Sequence, residues 1–174
     1  MSNDGHPFSP NWGDTRGRPP EVSVILPNLL VGEYPRVEDV AWLKQMHGVS
    51  AVLSLQDAGD LASKRLSLSR LIEEYRAHEI EFRRAPAADN DYEALSAVLP
   101  CALSELDGLI DAGHRVFLHC NAGYNRAPTV AIAYLHDRHF MQLSAARDFV
   151  SARRPCLPFM TLLEKHFANA SRRT

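Results

Sequence analysis

The sequence predicts an α/β fold: a single domain in which a central, mostly parallel sheet of about five strands is flanked by helices on both faces. Two observations support this prediction. Short apolar segments typical of buried strands alternate with longer segments whose apolar residues recur every three or four positions, as in amphipathic helices. The chain has 174 residues, which is enough for one domain with a substantial core and too few for two.

The strand candidates are short and rich in aliphatic and β-branched residues. They are Ser23–Ile25, Leu29–Val31, Val49–Leu55, Ile80–Arg83 and Arg115–His119. The helical patterns alternate with these strands and then finish the chain. They cover Val37–His47, the second half of Gly59–His78, Tyr92–Ala112, Arg126 to about His139, and segments near Leu143–Ala152 and Phe159–Ala168.

Glycine and proline indicate where several elements end. Gly48 and Gly113 follow two of the helical patterns, a position where a left-handed residue commonly ends a helix. Pro100 lies inside a long helical pattern, so we expect that helix to kink there or to start late. Residues 1–21 are rich in Gly, Pro, Asn and Asp, which predicts a flexible arm before a domain covering residues 22–174.

Composition disfavours several classes of protein. No apolar run approaches the ~20 residues that cross a bilayer, and the N-terminus lacks the pattern of a secretory signal, so we expect a cytoplasmic protein without membrane contacts. The formal net charge of −2 provides no overall field that would attract nucleic acid. The three cysteines are too few for a disulfide framework. Cys101, on the buried face of a helix, and Cys156, beside prolines, are expected to be structural.

One segment, VFLHCNAGYNRAPTVAIAYL at residues 116–135, has the pattern of an anion-binding loop. A buried strand is expected to end at His119, and a helix to begin at or just after Arg126. The N-terminus of a helix offers unpaired N–H groups and a positive dipole end, and successive N–H groups of the turn can curl around a phosphate. Gly123 permits backbone angles that most residues avoid, and Asn125 is among the few others that tolerate a positive φ.

Cys120 and Arg126 mark the two ends of this loop. The helix dipole, the N–H donors and the guanidinium all favour the thiolate of Cys120, which is the nucleophilic form. Arg126 can bind two phosphate oxygens in a fork and stabilise charge during phosphoryl transfer. The pattern therefore indicates cleavage of phosphate esters through a phosphocysteine. That route needs no metal and no other cofactor.

These residues also carry a family resemblance. HCNAGYNRA, at residues 119–127, resembles the His-Cys-x5-Arg loop of the protein tyrosine phosphatase superfamily, and the chain is similar to its dual-specificity branch. The segments ILPNLLVGEYPR, GVSAVLSLQD and RRPCLPF extend the resemblance, and the first two are similar to laforin and plant phosphoglucan phosphatases. The resemblance implies the cysteine-phosphatase fold, with Cys120 as nucleophile and Arg126 as phosphate clamp. It also implies a phosphate-binding loop that contains His119, Asn121, Ala122, Gly123, Tyr124 and Asn125.

The resemblance further implies an Asp that acts as general acid on a mobile loop upstream of the nucleophile. Asp89, in the segment APAADND, lies 31 positions before Cys120 and stands at the position that the laforin-like pattern predicts. Asp91 is the alternative, and because it directly precedes a predicted helix it is also the better candidate for a helix cap. His119 is expected to orient the loop and to help set the pKa of the thiol; a histidine that only fills the core is the competing interpretation.

Three positions depart from the patterns of these relatives. Most members carry Ser or Thr after the signature arginine, whose hydroxyl assists the departing thiolate, whereas this chain has Ala127, as plant phosphoglucan phosphatases do. We therefore expect slow breakdown of the phosphocysteine. Glucan-acting relatives line the site with aromatic residues where this chain has Asn90 and Leu157, although Tyr124 offers a ring that could stack on a sugar.

The sequence thus favours a dual-specificity phosphatase that acts, as a monomer, on phosphotyrosine and phosphoserine or phosphothreonine in proteins. The alternative is a phosphoglucan or other carbohydrate phosphatase. An RNA 5′-triphosphatase is disfavoured because the chain lacks a marked basic surface, and phosphoinositide specificity because the loop carries no Lys. An inactive phosphate-binding module is disfavoured because Cys120, Arg126 and an upstream Asp are all present.

Overall fold

The computed structural model describes residues 17–170, which form five strands and seven α-helices. The strands are β1 (Val22–Leu26), β2 (Leu29–Gly32), β3 (Ala51–Ser54), β4 (Glu81–Arg84) and β5 (Val116–His119). The helices are α1 (Val40–His47), α2 (Ala58–Ser63), α3 (Leu68–Ala77), α4 (Tyr92–Asp111), α5 (Arg126–His139), α6 (Leu143–Ser151) and α7 (Met160–Ala170). All five predicted strands are present, and a 3-10 turn at Val37–Asp39 precedes α1.

The strands form one sheet in the order β1-β2-β5-β3-β4. The hairpin of β1 and β2 is antiparallel, and the other three pairings are parallel, which confirms the mostly parallel sheet. The register places His119, the last residue of β5, opposite both Gly32 of β2 and Ser54 of β3. The loops that follow these strands therefore emerge at one edge of the sheet, which is where open α/β sheets bind ligands.

Helices cover both faces of the sheet, as predicted. β2, β3 and β5 are buried at every residue, because parallel strands in a layered fold face a hydrophobic core on both sides. The larger core lies between the sheet and helices α4 to α7. A second core lies on the other face, where α1 and α3 pack around Leu30, Val52 and Phe117.

Helix boundaries confirm some details of the prediction and correct others. Gly48 ends α1 with φ 63° and Gly113 follows α4 with φ 88°, both in the left-handed region that ends helices. α4 runs from Tyr92 through Pro100, so a late start is wrong. The expected burial of Cys101 is also wrong: its thiol is exposed, because the buried stripe of α4 passes through Leu99, Ala102 and Leu103 instead.

Helix α2 was not expected, because the sequence predicted helix only in the second half of Gly59–His78. Its six residues contain a single large apolar side chain, Leu61, and so show no helical periodicity. A capping box forms this short helix instead: the Asp57 carboxylate accepts from the Asp60 N–H, and the Asp60 carboxylate accepts from the Asp57 N–H. The capping box thereby places the buried Asp60 side chain just after the end of β3, at the edge of the sheet where the loops emerge.

The predicted arm at residues 1–21 lies mostly outside the described residues. Within its last part, Arg18 forms an ion pair with the buried carboxylate of Glu33 at 2.8 Å, and the Glu33 N–H donates to the Glu21 carbonyl. In residues 17–170 no helix combines the length and the apolar character that crossing a bilayer requires.

Candidate active site

The loop between β5 and α5 closes at the edge of the sheet described above. Three backbone hydrogen bonds from other segments, each 2.9 Å long, fix its path. The donors are the N–H groups of Leu55, Tyr34 and Leu157, and the acceptors are the carbonyls of His119, Asn121 and Tyr124, respectively. Three segments that are distant in sequence therefore fix the backbone of this loop.

Arg154 also stabilises this loop. Its side chain is buried and donates to the carbonyls of Ala122, at 2.7 Å, and Gly123. Within residues 17–170, the backbone N–H groups of Ala122, Gly123 and Asn125 donate to no protein acceptor. Carbonyls fixed by a guanidinium and unused N–H groups are the features of a backbone nest for an anion. The sequence analysis gives no role to Arg154, although the segment RRPCLPF, which contains it, is similar to dual-specificity enzymes.

Gly123 is required where the loop crosses β2. It has φ 62°, and a Cβ there would lie 2.4 Å from the Gly32 carbonyl oxygen and 2.7 Å from Arg154 Nη2. Both the backbone angle and the close approach therefore exclude a side chain. Asn125 has φ −117°, so the tolerance of asparagine for positive φ is not used here.

Arg126 is anchored along one edge of its guanidinium and open along the other. The side chain is fully buried, and Nη1 donates to Asp60 Oδ2 and the Ala87 carbonyl at 2.6 Å, and to the Leu55 carbonyl at 3.3 Å. Nε and Nη2 have no hydrogen-bond acceptor among the described residues. Nη2 lies 3.0 Å from Asp89 Oδ1, close enough for an ion pair but misaligned for a hydrogen bond. The open edge presents the two donors that bind a phosphate in a fork.

Neighbouring groups stabilise the positive charge of this guanidinium. Burial alone lowers the pKa of Arg126, but the nearby Cys120, Asp60 and Asp89 outweigh burial and raise the pKa above its ordinary value. Arg126 is therefore a permanent cation beside the sulfur of Cys120, whose side chain is only 3% exposed at the end of β5.

Asp60 connects Arg126 to the loop. Its Oδ2 accepts from Arg126, and its Oδ1 accepts from Asn121 Nδ2 at 2.6 Å. The buried Gln56 donates to Asn121 Oδ1 at 2.9 Å and fixes the orientation of that amide. The sequence analysis missed both Asp60 and Gln56. The one available signal was the D-x-x-D capping box directly after the third strand candidate.

The two candidate general acids have different surroundings. Asp89, on the loop between β4 and α4, is 40% exposed; besides its approach to Arg126, its Oδ2 accepts from Asn121 Nδ2 at 3.1 Å. Asp91 caps α4, because its Oδ1 accepts from the Ala94 N–H at 2.9 Å. The structure thus brings Asp89 to the loop and assigns Asp91 to the helix end.

His119 is a neutral, buried side chain that orients the loop. Burial lowers its pKa to about 4, and its ring stacks on Phe117 with the ring centroids 5.6 Å apart. Nδ1 lies 3.1 Å from the Cys120 carbonyl, so Nδ1 carries the proton that it donates to this oxygen. The imidazole therefore carries no positive charge at neutral pH, and it contacts the loop through the backbone.

This burial predicts a specific pH dependence of stability. The folded pKa of about 4 is below the unfolded value of 6.5, so the unfolded state binds more protons in between and stability falls as pH decreases from 6.5 to 4. At pH 5 the loss assigned to His119 is about 2 kcal/mol. Urea unfolding of wild type and His119→Asn at pH 7 and pH 5 should show that the variant loses about 2 kcal/mol less. Equal losses in both proteins would refute the assignment.

The remaining side chains around the loop form its rim. Leu157 is 64% exposed, and its carbonyl accepts from Asn125 Nδ2 at 2.7 Å. Cys156 is half-buried beside Ser151, and burial raises the pKa of its thiol. Within residues 17–170, all three cysteines are free and no group of three His, Cys, Asp or Glu side chains is placed to hold a metal.

Known proteins are similar to this chain in sequence and in fold. The family model for the dual specificity phosphatase catalytic domain matches residues 29–165. Mouse laforin is 29% identical over 146 residues, which are 78% of this chain and 44% of laforin. Mouse dual specificity protein phosphatase 2 is 32% identical over 130 residues, 75% of this chain and 36% of the relative. The amyloplastic phosphoglucan phosphatase DSP4 of Castanea sativa is 30% identical over 148 residues, 83% of this chain and 39% of the relative.

Solved structures confirm the fold. Tk-PTP in its active form superposes with a TM-score of 0.71 at 19% identity and covers 88% of this chain and 97% of its own. The human tyrosine phosphatase-like serine/threonine/tyrosine-interacting protein gives a TM-score of 0.69 at 25% identity over 86% of this chain and 97% of its own. The chain spans less than half the length of the three relatives compared by sequence. A match over residues 29–165, together with the loop geometry, shows that the chain belongs to the dual-specificity phosphatase family.

Proposed function

We propose that this chain is a phosphomonoester hydrolase that forms a phosphocysteine at Cys120. One observation carries the proposal: Arg126 interacts electrostatically with Cys120 and keeps Nε and Nη2 without a hydrogen-bond acceptor among residues 17–170. The loop between Cys120 and Arg126 contributes the N–H groups of Ala122, Gly123 and Asn125, which donate to no acceptor in the same part of the chain. A phosphate dianion bound there receives donors from the loop and two from the arginine. These donors stabilise the equatorial oxygens as charge redistributes in the transition state.

The reaction then takes two displacements. In the first, the Cys120 thiolate attacks phosphorus, the bond from phosphorus to the ester oxygen breaks, and Asp89 donates a proton to the departing alcohol. In the second, a water oxygen attacks the phosphocysteine while the Asp89 carboxylate takes the proton of that water. The sulfur–phosphorus bond breaks, inorganic phosphate forms, and the thiolate returns.

Asp89 has to leave its resting position in this scheme. Its carboxylate approaches the same Nη2 of Arg126 that a phosphate would use. An incoming phosphate dianion competes for that donor, so substrate binding displaces Asp89 from the arginine. The displaced carboxylate takes up a proton from solvent and then donates this proton to the ester oxygen. The loop position and the 40% exposure of the side chain support this movement.

The role of Asp89 can be tested with leaving groups of different basicity. Asp89→Ala should lower kcat for an alkyl phosphate by about 10²- to 10³-fold and for an activated aryl phosphate by much less, because an aryl oxide leaves without a proton. Asp91→Ala is the matched control and should lose stability rather than selectivity, since it caps α4. Equal losses of Asp89→Ala on both esters would place the acid elsewhere.

Position 127 should control how fast the phosphocysteine is hydrolysed. Ala127 is buried at the start of α5 and offers no hydroxyl to the departing sulfur. The Thr129 hydroxyl does not substitute for it, because it donates to the Asn125 carbonyl and accepts from the Phe159 N–H. Rapid mixing with an aryl phosphate should show a burst of phenol and then slow turnover. Ala127→Ser should reduce the amplitude of the burst and raise kcat about 10-fold, because the phosphocysteine is hydrolysed faster. If the wild-type protein showed no burst, formation of the phosphocysteine would limit turnover, and this account would be contradicted.

For the substrate, we favour phosphorylated proteins over phosphoglucans. The curated relatives include phosphatases of both kinds. Asn90, which follows Asp89, and the rim residue Leu157 provide no aromatic ring for sugar stacking, which supports the protein substrate. Phosphotyrosine and phosphoserine peptides should therefore give a higher kcat/KM than a soluble phosphoglucan, and the reverse order would favour the carbohydrate alternative. A cytoplasmic location, a monomeric state and the absence of nucleic-acid and membrane contacts remain predictions from the sequence.

A further inference from the structure

A basic groove lies beside the candidate active site, on the face of the sheet that α1 and α3 cover. The groove holds about 500 Å³. Its charged lining residues are Arg36, Glu38, Lys64, Arg65, Arg70 and Glu74. They come from the turn before α1, from the connection between α2 and α3, and from α3 itself. None of these residues takes part in the chemistry described above.

The cations of this groove outnumber the available acids. Within residues 17–170, Lys64, Arg65 and Arg70 pair with no carboxylate. The two acids of the groove are already engaged: Glu38 lies 3.6 Å from Arg36, and Glu74 lies 3.0 Å from Nε2 of His78. Unpaired cations grouped in a concave surface favour an anionic ligand. The chain as a whole has a net charge of −2, so this basic character is local.

The groove adjoins the loop through two direct connections. The Lys64 ammonium lies 5.6 Å from the centre of the Tyr34 ring, and the Tyr34 N–H donates to the Asn121 carbonyl of the loop. The Lys64 N–H donates to the carbonyl of Asp60, whose side chain binds Arg126. One helical turn, about 5.4 Å, thus separates a groove residue from a residue that anchors the phosphate clamp.

We propose that the basic groove binds an acidic segment of the substrate protein, either carboxylates or a second phosphate, while the target phosphate occupies the loop. This proposal rests on the phosphoprotein substrate proposed above. Because the substrate has to cross from the loop to the groove, we place the acidic groups three to five residues from the target residue, a length over which an extended chain spans about 10–17 Å. A glucan chain without neighbouring phosphates carries no charge and gains little from three cations.

The experiment compares two phosphotyrosine peptides that differ only in three Glu or three Gln residues placed three to five positions from the phosphotyrosine. Wild type should cleave the acidic peptide with a kcat/KM roughly 3- to 30-fold higher, because two or three exposed cations each contribute modestly. Replacing the Glu residues by one phosphoserine separates the phosphate source from the carboxylate source. Raising the ionic strength from about 0.01 M to 1 M should remove the preference, because the Debye length falls from about 30 Å to 3 Å.

The double variant Arg65→Gln/Arg70→Gln should lose the preference for the Glu peptide. It should keep wild-type turnover of the Gln peptide and of p-nitrophenyl phosphate. Arg138→Gln/Arg147→Gln is the matched control: it removes the same charge from exposed positions on α5 and α6, which pack on the opposite face, and should retain the preference. Equal cleavage of both peptides by wild type, or equal losses in the two double variants, would overturn the groove proposal and leave the phosphatase proposal intact. Cleavage of phosphoglucan with no cleavage of either peptide would overturn the protein substrate and the groove proposal together.

Discussion

Cys120→Ser should lower kcat for p-nitrophenyl phosphate by at least about 10⁴-fold, because a serine hydroxyl at this site remains protonated and is a far weaker nucleophile. Phosphate binding should survive the change. The donors are the N–H groups of Ala122, Gly123 and Asn125 and the Nε and Nη2 groups of Arg126, and none of them depends on the sulfur. Steady-state kinetics and calorimetric titration with inorganic phosphate measure the two effects separately.

Cys101→Ser is the matched control for this variant. It makes the same atomic change at an exposed thiol on α4, and its kcat should stay within about twofold of wild type. If Cys120→Ser kept a tenth of wild-type activity, the sulfur of Cys120 would not be the nucleophile.

Arg126→Lys should lower kcat/KM by roughly 10²- to 10⁴-fold although the positive charge is kept. A single ammonium cannot reproduce a guanidinium that binds Asp60 and the Ala87 carbonyl along one edge and keeps Nε and Nη2 for the phosphate. Affinity for inorganic phosphate should fall as well, which distinguishes this variant from Cys120→Ser.

Burial of the arginine means that folding has to be checked in the same variant. Arg126 is fully buried, so thermal unfolding should accompany the kinetics, and the comparison is valid only at a temperature where the variant is folded. Arg147→Lys, at a surface position on α6, should behave as wild type. A folded Arg126→Lys enzyme with kcat/KM within about threefold of wild type would show that the planar fork is not needed.

Much of the fold could be predicted from the sequence, because local pattern and global structure agree over most of the chain. The buried strands show as apolar runs, and the long helices α4 and α5 show helical periodicity. The phosphate loop could also be predicted, since a strand, a Cys-x5-Arg turn and a helix follow one another within a short stretch of sequence. Its chemistry is local, and local features are what a single sequence reveals.

The supporting side chains could not be predicted, because they reach the loop only through the tertiary structure. Asp60 precedes Arg126 by 66 residues and Arg154 follows Gly123 by 31. Their contacts depend on the strand order, which places β3 next to β5, and on helix α2, which lacks periodicity. The exposure of Cys101 shows a related limit: a shift of one position around a helix, about 100°, moves a side chain from the core to the surface.

The most direct test is to trap the covalent intermediate. Rapid quenching in acid during turnover of an aryl phosphate, followed by digestion and mass spectrometry, should find one phosphoryl group on the peptide that contains Cys120, at near-stoichiometric occupancy because Ala127 slows its hydrolysis. Cys120→Ser should carry none. The proposed reaction would be contradicted if phosphate were released rapidly while the protein carried no phosphoryl group, or if the phosphoryl group were found on another side chain.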